Sequence, residues 1–146
     1  MQTLQENYIY IYSKLINMLM IKGKKSIAKQ IVNKSILAAN LKLREPKLEN
    51  ILYKAIFNIS PDIKIKAKRK GSMVYQIPVP IDNKQKFNLG IRFFLKSIKL
   101  RKENTTIERF TLELIDAYNK KGLSIKKKDD LHKIAELNKS LASFKS

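Results

Sequence analysis

Lysine falls on every second residue of Lys64-Ile65-Lys66-Ala67-Lys68-Arg69-Lys70. Alternate side chains of an extended strand point to opposite faces, so Lys64, Lys66, Lys68 and Lys70 share one face while Ile63, Ile65 and Ala67 take the other. One face is suited to pack on protein and the other to hold anions. Gly71 and Ser72 make a turn, and Met73 to Pro80 reads as the return strand of an arm spanning about residues 62–81. Arg69 and Lys70 bring further charge to the tip, Arg69-Lys70-Gly71-Ser72-Met73. The chemistry suited to ammonium groups at strand spacing is charge pairing with a polyphosphate backbone. Tyr75 and Gln76 lie on the return strand opposite the lysines, where a tyrosine stacks on a base or packs across the hairpin.

Other chemistry finds less support. Asp129, Asp130, His132 and Glu136 are the one group resembling acid-base machinery, and their crowding near a helix start is accounted for by capping and charge balance. No second histidine, nucleophile elbow or carboxylate pair accompanies them, so no catalytic residue is assigned and the chain is not expected to be an enzyme. Lys22-Gly23-Lys24-Lys25-Ser26 superficially resembles the end of a phosphate-binding loop. The first glycine of that motif would fall at Met18, lysine stands where serine or threonine is needed, and the preceding segment reads as helix rather than strand. A basic corner between two helices fits better, with backbone amides at the second helix start facing a phosphate. Without cysteine and with one histidine, thiolate metal sites and disulfides are excluded; no metal, cofactor or small-molecule substrate is expected.

The composition points the same way as the arm. Lys plus Arg number 31 against 12 Asp plus Glu, a net charge of +19 in 146 residues, with a pI near 10.1 and mean hydropathy −0.31. At 44% hydrophobic the chain supports one globular domain over 1–146, burying roughly two thirds of its unfolded surface. Such charge on a compact domain calls for a polyanion. Neutralising five phosphates would give a log-log salt slope of roughly −4 to −5. Tyr8 to Ile21 is the most apolar stretch, but Ser13, Lys14 and Asn17 interrupt it and it is shorter than the ~20 residues of a membrane span, so a core helix is expected.

The elements that must position these cations are helices. Tyr8, Tyr12, Leu15, Ile16 and Leu19 keep helical spacing up to Gly23; Ala28, Ile31, Val32 and Ser35 form the stripe of a second helix with Lys29, Gln30, Asn33 and Lys34 outward. Pro46 suits the first turn of a third, carrying Leu48, Ile51, Leu52, Ala55 and Ile56, and Pro61 stops it. After the arm, Phe87, Ile91, Phe94, Leu95 and Ile98 predict a fourth helix, flanked by a cationic stripe of Arg92, Lys96 and Lys99. Thr105 and Glu108 form a capping box for a fifth, with Ile107, Phe110, Leu114 and Tyr118 inward and Gly122 at its end. Ile125-Lys126-Lys127-Lys128 is expected as a basic connector to a sixth helix with Asp129 and Asp130 in its first turn and Leu131, Ile134, Ala135 and Leu141 as its apolar set. The expected fold is mostly α: a six-helix, bundle-like domain with a β-hairpin arm protruding between the third and fourth helices.

Taken together these residues resemble the small-subunit ribosomal protein seven family of bacterial and organellar type. Asn17-x-Leu19-Met20-x-x-Gly23-Lys24-Lys25 followed by Ile31-Val32-x-x-Ser35 is similar to its N-terminal signature. Lys68-Arg69, Gly71 and Tyr75-Gln76-Ile77-Pro78-Val79 resemble its hairpin, and Ile91-Arg92-Phe93 the start of its fourth helix. The strongest piece is Glu113-Leu114-x-Asp116-Ala117, Gly122, Lys126-Lys127 and Asp130-Leu131-His132-Lys133-x-Ala135-Glu136-x-Asn138-Lys139. The resemblance covers about residues 9–142. It implies a structural protein that binds the 3′ major (head) domain of small-subunit rRNA, helps nucleate head assembly, touches neighbouring head and platform proteins, and turns its hairpin toward exit-site tRNA and mRNA. It implies rRNA contacts from Lys22, Lys24, Lys25, Lys64, Lys66, Lys68, Arg69, Arg92, Lys96, Lys126, Lys127, Lys133 and Lys139. Tyr75, Gln76, Lys99 and Lys128 complete the candidate set, and the tip from Arg69 to Met73 would face tRNA and mRNA.

Relatives begin with a basic arm, whereas Met1 to Glu6 carries no positive side chain, so that contact is expected to be missing. Ser72 stands for a second tip glycine, and Ser143-Phe144-Lys145-Ser146 replaces an aromatic and arginine ending. Arginine occurs only at Arg44, Arg69, Arg92, Arg101 and Arg109. Lysine meets phosphate without arginine's bidentate fork, so binding should be geometrically looser and more salt-sensitive. Abundant Lys, Ile and Asn with few Arg, Gly and Ala point to an AT-rich coding genome, and the N-terminus reads as neither a secretory nor a transit-type signal. The expectation is a protein encoded and used in a mitochondrion, with a plastid or a bacterial cytoplasm as alternatives. The alternative function is that of an architectural DNA-binding protein using the arm in a groove, although such arms want an apolar wedge where this tip reads Arg69-Lys70-Gly71-Ser72; no membrane partner is expected, because a membrane-surface protein would leave exposed the apolar faces that the core requires.

Overall fold

A computed structural model describes residues 3–139 as six helices with a hairpin between the third and fourth. The elements are α1 (Leu4–Leu19), α2 (Lys25–Leu43), α3 (Leu48–Ile59), β1 (Ile63–Lys70), β2 (Met73–Pro80), α4 (Asn83–Leu100), α5 (Thr106–Tyr118) and α6 (Leu123–Leu137). None of the helices described is long and apolar enough to cross a membrane.

The first five helices share one core. Ile11 and Leu15 of α1, Val32 of α2, Ile51, Leu52 and Ile56 of α3, Ile91 and Phe94 of α4, and Phe110 and Leu114 of α5 are buried in it. Phe94 and Phe110 meet edge to face, 5.0 Å between centroids; each such ring contributes about 1.5–3 kcal/mol by leaving water. The expected stripes hold with shifts of one position. Ile11 and Asn7 are buried on α1 while Tyr8 and Tyr12 are half-exposed and stack at 5.7 Å. On α2, Ile36 and Ala39 extend the buried stripe, Ile31 is half-buried, and Lys29, Gln30, Asn33 and Lys34 face solvent as expected. Leu95 of α4 is half-buried, and the buried row there includes Gly90 and Ser97.

The ends depart further from expectation. Pro46 lies just outside α3, whose cap is Lys47, and Leu48 is exposed. Thr105 caps α5 through the Glu108 amide at 3.1 Å, while both halves of a capping box occur at Thr3 and Glu6 of α1. The largest correction concerns α6. It starts at Leu123, so Ile125 to Lys128 is helix rather than connector and Asp129 and Asp130 lie beyond its first turn. Gly122 caps α6 instead of ending α5; its φ of +97° with extended ψ is glycine territory, and a Cβ there would sit 3.0 Å from Asp116 Cβ. Of the expected apolar set of α6, Ala135 is buried, Leu131 half-buried and Ile134 exposed; Leu141 lies outside the described residues.

Candidate nucleic-acid interface

The arm is a two-stranded antiparallel ladder with Ile63 opposite Pro80 and Lys70 opposite Met73, leaving Gly71 and Ser72 as the loop. Gly71 takes φ +66° at the first loop position, as a type II′ turn requires. Eight residues at roughly 3.3 Å make an arm about 26 Å long. Its register corrects the two-face expectation. Directly opposed residues share a face, so Lys64, Lys66, Lys68 and Lys70 lie beside Val79, Ile77, Tyr75 and Met73. The lysine face thus carries Ile77, the one deeply buried residue of the arm, whereas Ala67 on the supposed anchoring face is exposed. Burial divides the arm across its length. The root packs on α6, where Ile63 and Pro78 line a cleft with His132 and Ala135. Beyond it Lys66, Arg69, Lys70, Gly71, Ser72, Met73 and Gln76 are exposed, with Lys68 and Tyr75 half-buried. Tyr75 sits across from Lys68 as expected, but Gln76 faces Ala67. Met73 and Val74 are the exposed apolar side chains beside the tip.

Three other regions carry the remaining candidates. Lys22, Lys24 and Lys25 are exposed at the α1–α2 corner, where Lys22 and Gly23 both take positive φ and no side chain caps α2. Arg92, Lys96 and Lys99 are exposed along α4. On α6, Lys126 and Lys133 are exposed and Lys127 half-buried, with Lys139 exposed just past its end, while Lys128 donates to the Asn58 carbonyl at 3.0 Å and so ties α6 to α3. Lys128 is therefore partly committed to the fold.

Three lysines in the first turns of α6 oppose the helix dipole, and a buried carboxylate offsets this. Glu113 of α5 is fully buried and accepts from the Ser124 amide at 3.2 Å and the Ser124 hydroxyl at 2.6 Å, capping α6 from a neighbouring helix. Arg101 neutralises it at 2.7 Å and also binds Asp116 at 3.1 Å and Glu103 at 2.9 Å. Burial works against the Arg101 charge, and the hydrogen bonds it donates to Glu103, Glu113 and Asp116 overcome it, raising the guanidinium above its ordinary value. The same Arg101 holds the Glu103 carboxyl below its usual range. Glu113, Asp116 and Gly122 were legible as a motif without their reason, which is this junction.

The acid-base group is not assembled. Asp129 and Asp130 are exposed, while His132 is half-buried at the arm root with Nε2 buried and without a partner. Asp62 beside it is held below its usual range first by the Lys86 ammonium at 2.9 Å. Among the described residues no three His, Cys, Asp or Glu side chains are placed to hold a metal ion. Gln85 and Asn88 were missed; they lie with Lys64 and Arg92 in a cleft between the arm root and α4. Their spacing from Arg92, i−7 and i−4 on a helix, was the available signal.

Residues 2–139 match the model of the family described as ribosomal protein S7p/S5e. The chain is 40% identical over 134 residues to the small ribosomal subunit protein uS7 of Chloroflexus aggregans, covering 92% of this chain and 85% of that one. It is 39% identical over 135 residues to the uS7 of Alkaliphilus oremlandii and 38% over 135 to that of Pelagibacter ubique, each covering 92% of this chain and 86% of the relative.

Proposed function

Because this chain belongs to the ribosomal protein S7p/S5e family, we propose that its four basic regions bind the 3′ major (head) domain of small-subunit rRNA and help nucleate assembly of the head. The protein is a structural component of the small ribosomal subunit and acts in translation without catalysing a reaction. One observation carries the rRNA reading: the family match spans residues 2–139 and so takes in the arm, the α1–α2 corner, the α4 stripe and α6 together. Phosphate contacts from exposed lysines supply affinity, and four separated patches on one folded body supply recognition of RNA shape. Lys22, Lys24, Lys25, Lys66, Arg69, Arg92, Lys96, Lys99, Lys126, Lys133 and Lys139 are the exposed cations of this set.

The exposed tip from Arg69 to Met73 is proposed to face exit-site tRNA and mRNA, supported by its distance from the helical body. The Lys-, Ile- and Asn-rich composition supports a mitochondrial ribosome, with a bacterial one as the alternative that the named relatives favour. Binding to a head-domain rRNA fragment and to random duplex DNA of equal length, at matched physiological salt, tests the central reading. Equal affinities would replace it with an architectural DNA-binding role, in which Met73 and Val74 would act as the wedge.

A further inference from the structure

The cleft between the arm root and α4 is lined by Lys64, Gln85, Asn88, Leu89 and Arg92. The four α4 residues fall at i, i+3, i+4 and i+7 and share one face of the helix, while Lys64 comes from the opposite wall on β1. At about 250 Å³ it is smaller than the roughly 300–1,000 Å³ of pockets that enclose a whole small molecule. It suits one sugar-phosphate unit of a chain passing through. Among the described residues no carboxylate lines it, so the two cations suit a phosphate.

The two amides between those cations ask for a different group. A phosphate oxygen only accepts, and Lys64 and Arg92 already supply donors for it. Tyr10 Oη donates to Asn88 Oδ1 at 2.8 Å, which takes one of the two lone pairs of that oxygen, holds the amide in place and leaves its NH2 as a donor in a residue that lines the cleft. Gln85, exposed at the mouth, brings both a carbonyl and an NH2. The pair therefore offers donor and acceptor to one partner, which is what a hydroxyl requires, and Leu89 gives a half-buried apolar surface for a sugar ring. We propose that this cleft is where the protein distinguishes RNA from DNA, with Gln85 and Asn88 reading a ribose 2′-hydroxyl between phosphates held by Lys64 and Arg92, and Tyr10 as the positioning residue. The proposal rests on the reading that RNA is the partner.

The test compares binding of the head-domain rRNA fragment with a 2′-fluoro fragment of the same sequence, which keeps the A-form shape and lacks the hydroxyl donor. Gln85→Ala/Asn88→Ala should weaken the natural fragment roughly tenfold, leave the 2′-fluoro fragment unchanged and preserve the salt slope. Arg92→Ala should weaken both and reduce the slope by about one contact. Tyr10→Phe should reproduce part of the natural-fragment loss alone. Gln85→Ala by itself changes an exposed side chain and guards against misfolding of the double variant. Equal losses on both fragments, or no loss on either, would overturn the proposal while leaving rRNA binding intact. Failure of the unaltered protein to prefer rRNA over duplex DNA would instead overturn the parent reading.

Discussion

Replacing Glu113 by alanine is expected to cost about 3–5 kcal/mol of folding stability, the range for breaking a buried, compensated charge. The carboxylate is fully buried and accepts from Arg101 Nη1 at 2.7 Å, from the Ser124 amide at 3.2 Å and from the Ser124 hydroxyl at 2.6 Å. Alanine removes the cap of α6, about 1 kcal/mol, and strands a buried hydroxyl, about 1–2 kcal/mol. Loss of the Arg101 contact adds about 1–2 kcal/mol, limited because Glu103 and Asp116 still hold the guanidinium. Glu113→Gln keeps a carbonyl for Ser124 but loses the charge and the oxygen that accepts from Arg101, so it should cost about 1–2 kcal/mol. Urea unfolding followed by circular dichroism measures both, and at about 2–4 °C per kcal/mol the alanine variant should melt on the order of 10 °C lower. Amide exchange should locate the loosening at the start of α6, taking Lys126 and Lys127 out of register for RNA. An alanine variant within about 1 kcal/mol of the natural protein, or indistinguishable from the glutamine variant, would refute the account of Glu113 as a cap supplied in trans.

Lys128→Met should lower stability by about 1 kcal/mol because it frees the Asn58 carbonyl, whereas Lys126→Met should leave stability unchanged and reduce the salt slope of rRNA binding by about one contact; matched melts and salt titrations separate the two. Replacing residues 67–76 by Asn-Gly between the directly opposed Lys66 and Ile77 should preserve the helical spectrum and melting of the body while weakening RNA binding, since the distal arm is exposed and its root is kept; a collapse of the helical signal would contradict this. The Tyr118 hydroxyl, with Asn50 and Lys54, holds the Glu45 carboxyl below its ordinary value of 4.5, so the stability it confers is intact above that pH and is lost as pH falls through the lowered folded value. Tyr118→Phe should move the Glu45 midpoint upward in a carboxyl NMR titration, and an unmoved midpoint would show that the hydrogen bond is not its main cause.

Helix order, the arm and most of the core were legible because they rest on periodicity. Ile51, Leu52, Ala55 and Ile56 repeat on one face, and lysines alternate along β1, whatever the rest of the chain does. The start of α6 was not legible, because it is decided by Glu113, eleven residues away, whose buried carboxylate permits lysines where local rules expect acids. The anchoring of the arm failed for a related reason. Alternation describes one strand, but the register with β2 brings Ile77 and Val79 onto the lysine face, and packing on α6 decides that the root, not a face, is buried. Lys128 read as one of three equivalent cations until Asn58 gave it a partner. Gln85 and Asn88 share a helix face with Arg92, but that spacing marks neutral amides as part of a site only once a strand is laid beside them.

Among the described residues the arm is anchored at its root, which makes it a lever. From Lys66 to the turn it extends about 17 Å beyond its support, so a tilt of about 10° at Ile63 and Pro78 carries the tip roughly 3 Å sideways, close to the span of one hydrogen bond. Small adjustments where His132 and Ala135 meet the strands are therefore magnified at Arg69 and Lys70. A nucleic acid of the kind proposed for the tip could then be followed through small displacements while the helical body stays seated, and a methyl group added or lost at Ala135 would change where the tip points more than how tightly the body binds.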